Sequence, residues 1–264
     1  MNVTTLQAMA EAWPAGMLLA VVLFGLAIGS FLNVVIVRVP EGRSLCHPRS
    51  ACPGCSAQLA WHDNIPVLSF LWLRGRCRKC GMRISRRYPI VEAVTAAALA
   101  AAYLAFGPTG DFIVAAVLLA ALVVVTAIDL QHQLIPDVIT LPGIAVGLVA
   151  NVAIGHVSWL DSLIGIVVGG GLFFVIILVT PDGMGGGDMK LGAMLGAFLG
   201  WKALLFALFA GIVLGGVVAV AFLVSGLRGR KDPIPFGPFL AAGGAMALFW
   251  GERILDWWLS GFNL

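Results

Sequence analysis

Apolar and polar positions along this chain separate into long blocks. Uncharged or nearly uncharged runs fall at about 15–37, 90–106, 112–128, 138–160, 162–180, 203–227 and 234–251. Most approach the roughly 20 residues that a helix needs to cross a bilayer. A shorter run, 191–201 (LGAMLGAFLGW), is ambiguous by length alone. Glycines four residues apart recur inside the runs, at Gly25/Gly29, Gly143/Gly147, Gly165/Gly169, Gly192/Gly196/Gly200 and Gly211/Gly215. That spacing predicts helices that approach one another closely in lipid. The pattern is that of an all-α polytopic membrane protein.

Composition agrees: of 264 residues, 60% are hydrophobic and 11% charged, and the mean hydropathy is +1.01. The first fourteen residues hold no Lys or Arg, so the basic flank of a cleavable signal peptide is missing and the first run is expected to stay as a helix. Basic residues orient the set, because they concentrate in cytosolic loops. Ten of the sixteen lie in 38–87: Arg38, Arg43, Arg49, Arg74, Arg76, Arg78, Lys79, Arg83, Arg86 and Arg87. With that segment in the cytosol the N-terminus is periplasmic, and counting crossings brings Asp129 and Asp188 to the same cytosolic face. Keeping Arg228, Arg230 and Lys231 there as well requires 191–201 to cross, which makes about eight transmembrane helices. The expected divisions are 1–37, a tail and first transmembrane helix; 38–89, a small cytosolic loop domain; and 90–264, a transmembrane core.

The loop domain holds all five cysteines, four of them in CPGC (Cys52, Cys55) and CRKC (Cys77, Cys80). Two C-x2-C pairs separated by 21 residues, one beyond the usual window, are of the type of a four-thiolate zinc site, each pair presenting two sulfurs to one tetrahedral ion. Disulfides are disfavoured in a reducing compartment, which leaves reduced or redox-active thiols as the alternative. A closed four-thiolate site has no open coordination position, so zinc is expected to be structural, holding a domain too small for a large core. Cys46 is expected to be a spare thiol, and His47 and His62 solvent-facing loop residues.

Acidic residues at the ends of spanning segments are functional candidates, since a charge in lipid is costly unless it lies at an interface or in a wet cavity. Asp111, Asp137 and Asp161 precede or begin apolar runs and are expected to be helix N-caps. Asp129, in TAIDLQHQLIPD, ends a run, where the helix dipole opposes negative charge, so capping does not explain it. Asp188, in PDGMGGGDMK, follows Gly185, Gly186 and Gly187. Glycines there permit unusual backbone angles and remove side chains, letting a substrate peptide approach the main chain. Two carboxylates within reach of each other share a proton, one activating water and the other protonating a carbonyl oxygen. Lys190 is expected to point away from Asp188 and anchor the helix at the interface.

Several stretches together resemble the type IV prepilin peptidases: GSFLNVVIVRVP (29–40), the paired CPGC and CRKC, DNIPVLSFLWLRGRC (63–77), ISRRYPIVE (84–92), DLQHQLIPD (129–137) and GMGGGDMKLGAMLG (183–196). The resemblance covers nearly the whole chain. It implies an eight-helix inner-membrane GxGD-type aspartic protease with Asp129 and Asp188 catalytic. It also implies methylation of the new N-terminus with S-adenosylmethionine, for which the sequence marks no residues. The implied substrates are prepilins and type II secretion pseudopilins, cut on the cytosolic side after a glycine; membrane lipid is the other partner, and no nucleic acid is expected. A related alternative is an intramembrane protease without methyl transfer, resembling preflagellin peptidases or presenilin, against which the cysteine loop argues. A proton-coupled transporter would place its carboxylates near the bilayer midplane and show internal repeats, and a scaffold would need neither aspartate.

Overall fold

The computed structural model describes residues 12–180, 184–226 and 234–260, apart from the side chains of 252, 256, 258 and 259. Pro181, Asp182, Gly183, Arg228, Arg230 and Lys231 therefore lie outside it. Regular structure among the described residues is helical: α1 Pro14–Arg38, α2 Leu68–Trp72, α3 Arg87–Phe106, α4 Gly110–His132, α5 Asp137–Ile154, α6 Trp159–Val179, α7 Gly186–Ser225 and α8 Gly237–Ser260, with a 3-10 turn at Trp61–Asn64. Six of these, α1 and α3 to α7, are long and apolar enough to cross a membrane, and α8 carries a shorter apolar stretch, Gly237–Gly251. The 40 residues of α7 would reach about 60 Å as one helix, twice a bilayer core. They do not run unbroken: Gly200 sits at φ 71°, ψ 169°, dividing α7 into 186–199 and 201–225. The expected eight segments thus correspond to α1, α3, α4, α5, α6, the two parts of α7, and α8.

The break is held by side chains. Asn151 of α5, almost fully buried, donates from Nδ2 to the carbonyls of Ala197 (2.9 Å) and Phe198 (3.2 Å), which the interruption would otherwise orphan, and to Ser162 Oγ (2.8 Å). On the other side, Trp201 Nε1 donates to Asp161 Oδ1 at 2.9 Å.

The chain forms two compact units divided between Phe112 and Ile113. In the first, α1 packs on α3 through its glycines: a Cβ on Gly25 would lie 2.7 Å from Ala96 Cα, and one on Gly29 would lie 2.6 Å from Glu92 Cα. In the second, residues 191–200 are buried on every side, making the ambiguous short run the central helix of that unit. Gly192 and Gly196 meet Gly169 and Gly165 of α6 backbone to backbone, Gly147 of α5 meets Phe198, and Gly211 meets the start of α8. The glycine spacing is borne out as close packing.

Three expected N-caps need correction. Asp111 is the second residue of α4, and at α5 and α6 Pro136 and Ser158 occupy the cap positions in place of Asp137 and Asp161, neither making a side-chain cap bond. The helix boundary between α5 and α6 lies at Gly155, left-handed at φ 79°, several residues before Asp161. Counting uncharged residues ran the α5 segment through a glycine stop because no charge marks it.

Candidate active site and metal site

Asp129 lies in the last turn of α4 and is 4% exposed. The helix ends directly after it: the Gln133 amide donates to the Asp129 carbonyl at 2.9 Å, with Gln133 itself left-handed at φ 50°. A carboxylate at this end of a helix faces the negative pole of its own dipole. The compensation comes from α8, whose first residue, Gly237, donates its backbone N–H to Asp129 Oδ2 at 2.9 Å, so the positive end of one helix meets the acid at the negative end of another.

Asp188 lies in the first turn of α7, three residues after the N-cap Gly185. Its Oδ2 lies beside Gly185, 4.0 Å from where a Cβ on that residue would stand, and its charge and that of Asp129 repel. Both aspartates stand in terminal turns of their helices, as expected from the ends of the apolar runs.

Ile135, 7% exposed, joins these elements. A Cβ on Gly187 would lie 2.8 Å from Ile135 Cβ, and one on Gly237 would lie 3.2 Å from Ile135 Cδ1. The isoleucine wedges between the start of α7 and the start of α8. The glycine triplet is therefore divided in its roles. Gly187 is bare because Ile135 packs on it, whereas a Cβ on Gly186 would meet nothing within 4 Å. None of the three adopts a positive φ, so the backbone freedom expected of them is not used. Lys190 does point away from Asp188: its Nζ lies 2.7 and 2.6 Å from the two carboxylate oxygens of Asp137, tying the start of α5 to α7.

Sequence reasoning missed Gly237 and Ile135. The signal for Gly237 is present in PFGPFL, where a proline at an early helical position marks the start of α8. Nothing local marks its contact with a residue 108 positions away.

In the first unit the four cysteines of CPGC and CRKC converge, with all sulfurs within 4.8 Å of one another. Two matching turns bring them there. The Cys52 amide donates to Ala57 O and the Ser56 amide to Cys52 O; the Cys77 amide donates to Met82 O and the Gly81 amide to Cys77 O. The residue after each second cysteine is left-handed, Ser56 at φ 53° and Gly81 at φ 72°. Cys52 Sγ and Cys80 Sγ are 3.7 Å apart. A tetrahedral ion with metal–sulfur bonds of about 2.3 Å spaces its sulfurs about 3.8 Å apart, so the cluster has the dimensions of a four-thiolate metal site. The amides of Cys80 and Lys79 hold the Cys77 thiol down at about 6, favouring the thiolate that binds metal. Cys46, His47 and His62 are exposed and stand apart from the cluster. Arg78, inside CRKC, donates from Nε and Nη2 to Asp63 Oδ1 at 2.9 and 2.7 Å, fastening the second turn to the DNIP loop and holding the Asp63 carboxyl below its ordinary value.

Residues 23–106 match the model of the bacterial peptidase A24 N-terminal domain, and residues 116–220 match that of the type IV leader peptidase family. The chain is 41% identical over 271 residues to a prepilin leader peptidase/N-methyltransferase of Aeromonas hydrophila, an alignment covering 92% of this chain and 93% of that protein. It is 38% identical over 271 residues to the protein of that name in Pseudomonas aeruginosa (91% and 93% covered) and 36% identical over 243 residues to the one in Bacillus subtilis (92% and 98% covered). No solved structure matches. With identity of this order across nine-tenths of both partners, the chain belongs to the type IV leader peptidase family.

Proposed function

We propose that this chain is a bifunctional enzyme of the bacterial inner membrane: it removes the leader from type IV prepilins and type II secretion pseudopilins, then N-methylates the residue so exposed. Support for the protease half comes above all from one observation, the Asp129 carboxylate held by the Gly237 amide within electrostatic range of Asp188. The basic segment 38–87 orients the chain with its N-terminus in the periplasm and both aspartates at the cytosolic face. Residues 38–89 act as the zinc-binding loop domain and 90–264 as the protease core.

Asp129 and Asp188 share one proton, because two carboxylates this close do not both ionise readily. The ionised member takes a proton from water as its oxygen attacks the carbonyl of the leader's last glycine. The protonated member gives its proton to the carbonyl oxygen. Collapse of the tetrahedral diol breaks the C–N bond: the proton taken from water passes to the departing amine, while a diol hydroxyl returns its proton to the other aspartate as the new carboxyl forms, restoring the pair. The Gly237 amide fixes Asp129 in position. Open space beside Gly186 lets an extended peptide approach the start of α7.

Cys52, Cys55, Cys77 and Cys80 hold zinc. With four thiolates its shell is closed, so the metal supplies folding stability and no chemistry. S-adenosylmethionine would supply the methyl group.

The test is to incubate purified protein with a prepilin peptide and labelled S-adenosylmethionine and weigh the product. Loss of the leader together with one added methyl at the new N-terminus is expected. An intact leader, or a cleaved product that stays unmethylated, contradicts the corresponding half.

A further inference from the structure

The loop domain carries an apolar surface that neither the metal cluster nor the aspartates use. Trp61 and Trp72 are 82% and 84% exposed, and Leu68 and Leu71 are each 64% exposed. They lie on the 3-10 turn and on α2, two elements that contact each other, so the four side chains belong to one short stretch of surface. A water-facing domain would bury such residues or scatter them.

The attachment of this segment sets its depth. The Val67 amide, immediately before α2, donates to Glu92 Oε2 at 2.8 Å. Glu92 is buried and lies five residues into α3, a helix able to span a membrane. Five residues of helix advance about 8 Å, the depth at which an interfacial helix seats its apolar face below the headgroups. Val67 holds a left-handed φ of 59°, a costly conformation for a β-branched residue, so the tether is maintained against backbone strain. Arg74 and Arg76 follow α2 closely in the chain, Arg83 is bridged to Arg76, Arg86 immediately precedes α3, and all four are exposed. Tryptophan and leucine beside a cluster of arginines is the chemistry of an anionic lipid surface.

We infer that residues 61–72 form an interfacial segment that seats Trp61, Leu68, Leu71 and Trp72 in the lipid leaflet while Arg74, Arg76, Arg83 and Arg86 meet anionic headgroups. The metal-binding turns are thereby held at the membrane surface. A peptide docked on the same surface is the competing occupant.

The experiment uses the full-length protein in nanodiscs containing phosphatidylglycerol, with a photoreactive benzophenone residue at Leu68 or Trp72 and, as control, at the exposed His47. Irradiation is expected to add the mass of one phospholipid at 68 and 72 and none at 47. Adducts to the chain itself or to added prepilin, or equal lipid labelling at 47, would overturn the inference. Unmodified protein provides a second measurement. Amide hydrogen exchange across 65–72 is expected to be slower by at least about fivefold in phosphatidylglycerol than in phosphatidylcholine nanodiscs, the effect of a single arginine at an anionic surface. Equal exchange in the two lipids would refute the headgroup contact.

Discussion

Replacing Gly237 with alanine is a local perturbation of the proposed aspartate pair that leaves both aspartates in the sequence. A Cβ there would stand 2.6 Å from Asp129 Oδ2 and 3.2 Å from its Cγ. Ordinary contact begins near 3.4 Å, so the carboxylate must retreat by about 0.8 Å. Because the atom displaced is the end of a rotatable side chain, folding should be little affected. The 2.9 Å bond from the Gly237 amide is stretched out of range, however, and a hydrogen bond to a charged group contributes about 1.5–3 kcal/mol. Misplacement of a reacting group by about 1 Å costs on the order of a hundredfold in rate. Gly237→Ala should therefore lower kcat/KM for prepilin cleavage by about a hundredfold, while still unfolding cooperatively in detergent at a midpoint lowered by the loss of that bond. Gly216→Ala, in the second part of α7 and with a Cβ that meets nothing within 4 Å, is the matched control and should cleave within a few-fold of wild type. If Gly237→Ala cleaved as fast as Gly216→Ala, the amide would not be positioning Asp129.

Three further outcomes are expected. Protein purified in detergent should carry about one zinc per chain, unchanged by Cys46→Ser and lost with Cys52→Ser or Cys77→Ser, by elemental analysis; a fully active metal-free preparation would refute the structural role. Asp137→Asn should leave cleavage nearly normal and cost no more than about 1 kcal/mol of stability, since it breaks only the partly exposed pair with Lys190; complete inactivity would mean that the wrong aspartate of DLQHQLIPD had been chosen. Asp63 is held below its ordinary carboxyl value of 3.8 by Arg78, so its contribution is present above that value and fades as pH falls through the lower folded value. Wild type should exceed Asp63→Asn in urea midpoint near neutral pH and converge with it in acid; a gap that widened in acid would reverse the assignment.

Much of this was legible in the sequence because a bilayer imposes a simple rule: apolar length makes a span, and a charge at its end needs a reason. The runs located the spanning helices, and Asp129 and Asp188 stood out because neither could be dismissed as an ordinary surface acid. The C-x2-C pairs were readable because paired cysteines at that separation have few other uses. What escaped was tertiary. Gly185–Gly187 suggested an opening for substrate, yet Gly187 is bare to admit Ile135. Asp161 resembled a cap by its place before an apolar run, yet it accepts a bond from Trp201 beside the Gly200 break. Gly237 contacts Asp129 through a backbone amide, which has no side chain to leave a pattern in the sequence.

The pairing of Asp129 with Asp188 is tested most directly by separating the two reactions. Methyl transfer needs a neutral amine aligned with the methyl donor and not the pair that activates water. Asp129→Asn and Asp188→Asn should each lower leader removal from full-length prepilin by orders of magnitude, with the double variant little worse. Both single variants should still methylate a pilin supplied without its leader. Leader release at the wild-type rate by either variant would contradict the proposed catalytic pair. Loss of methylation on pre-cleaved pilin by properly folded variants would show that the two reactions share these residues.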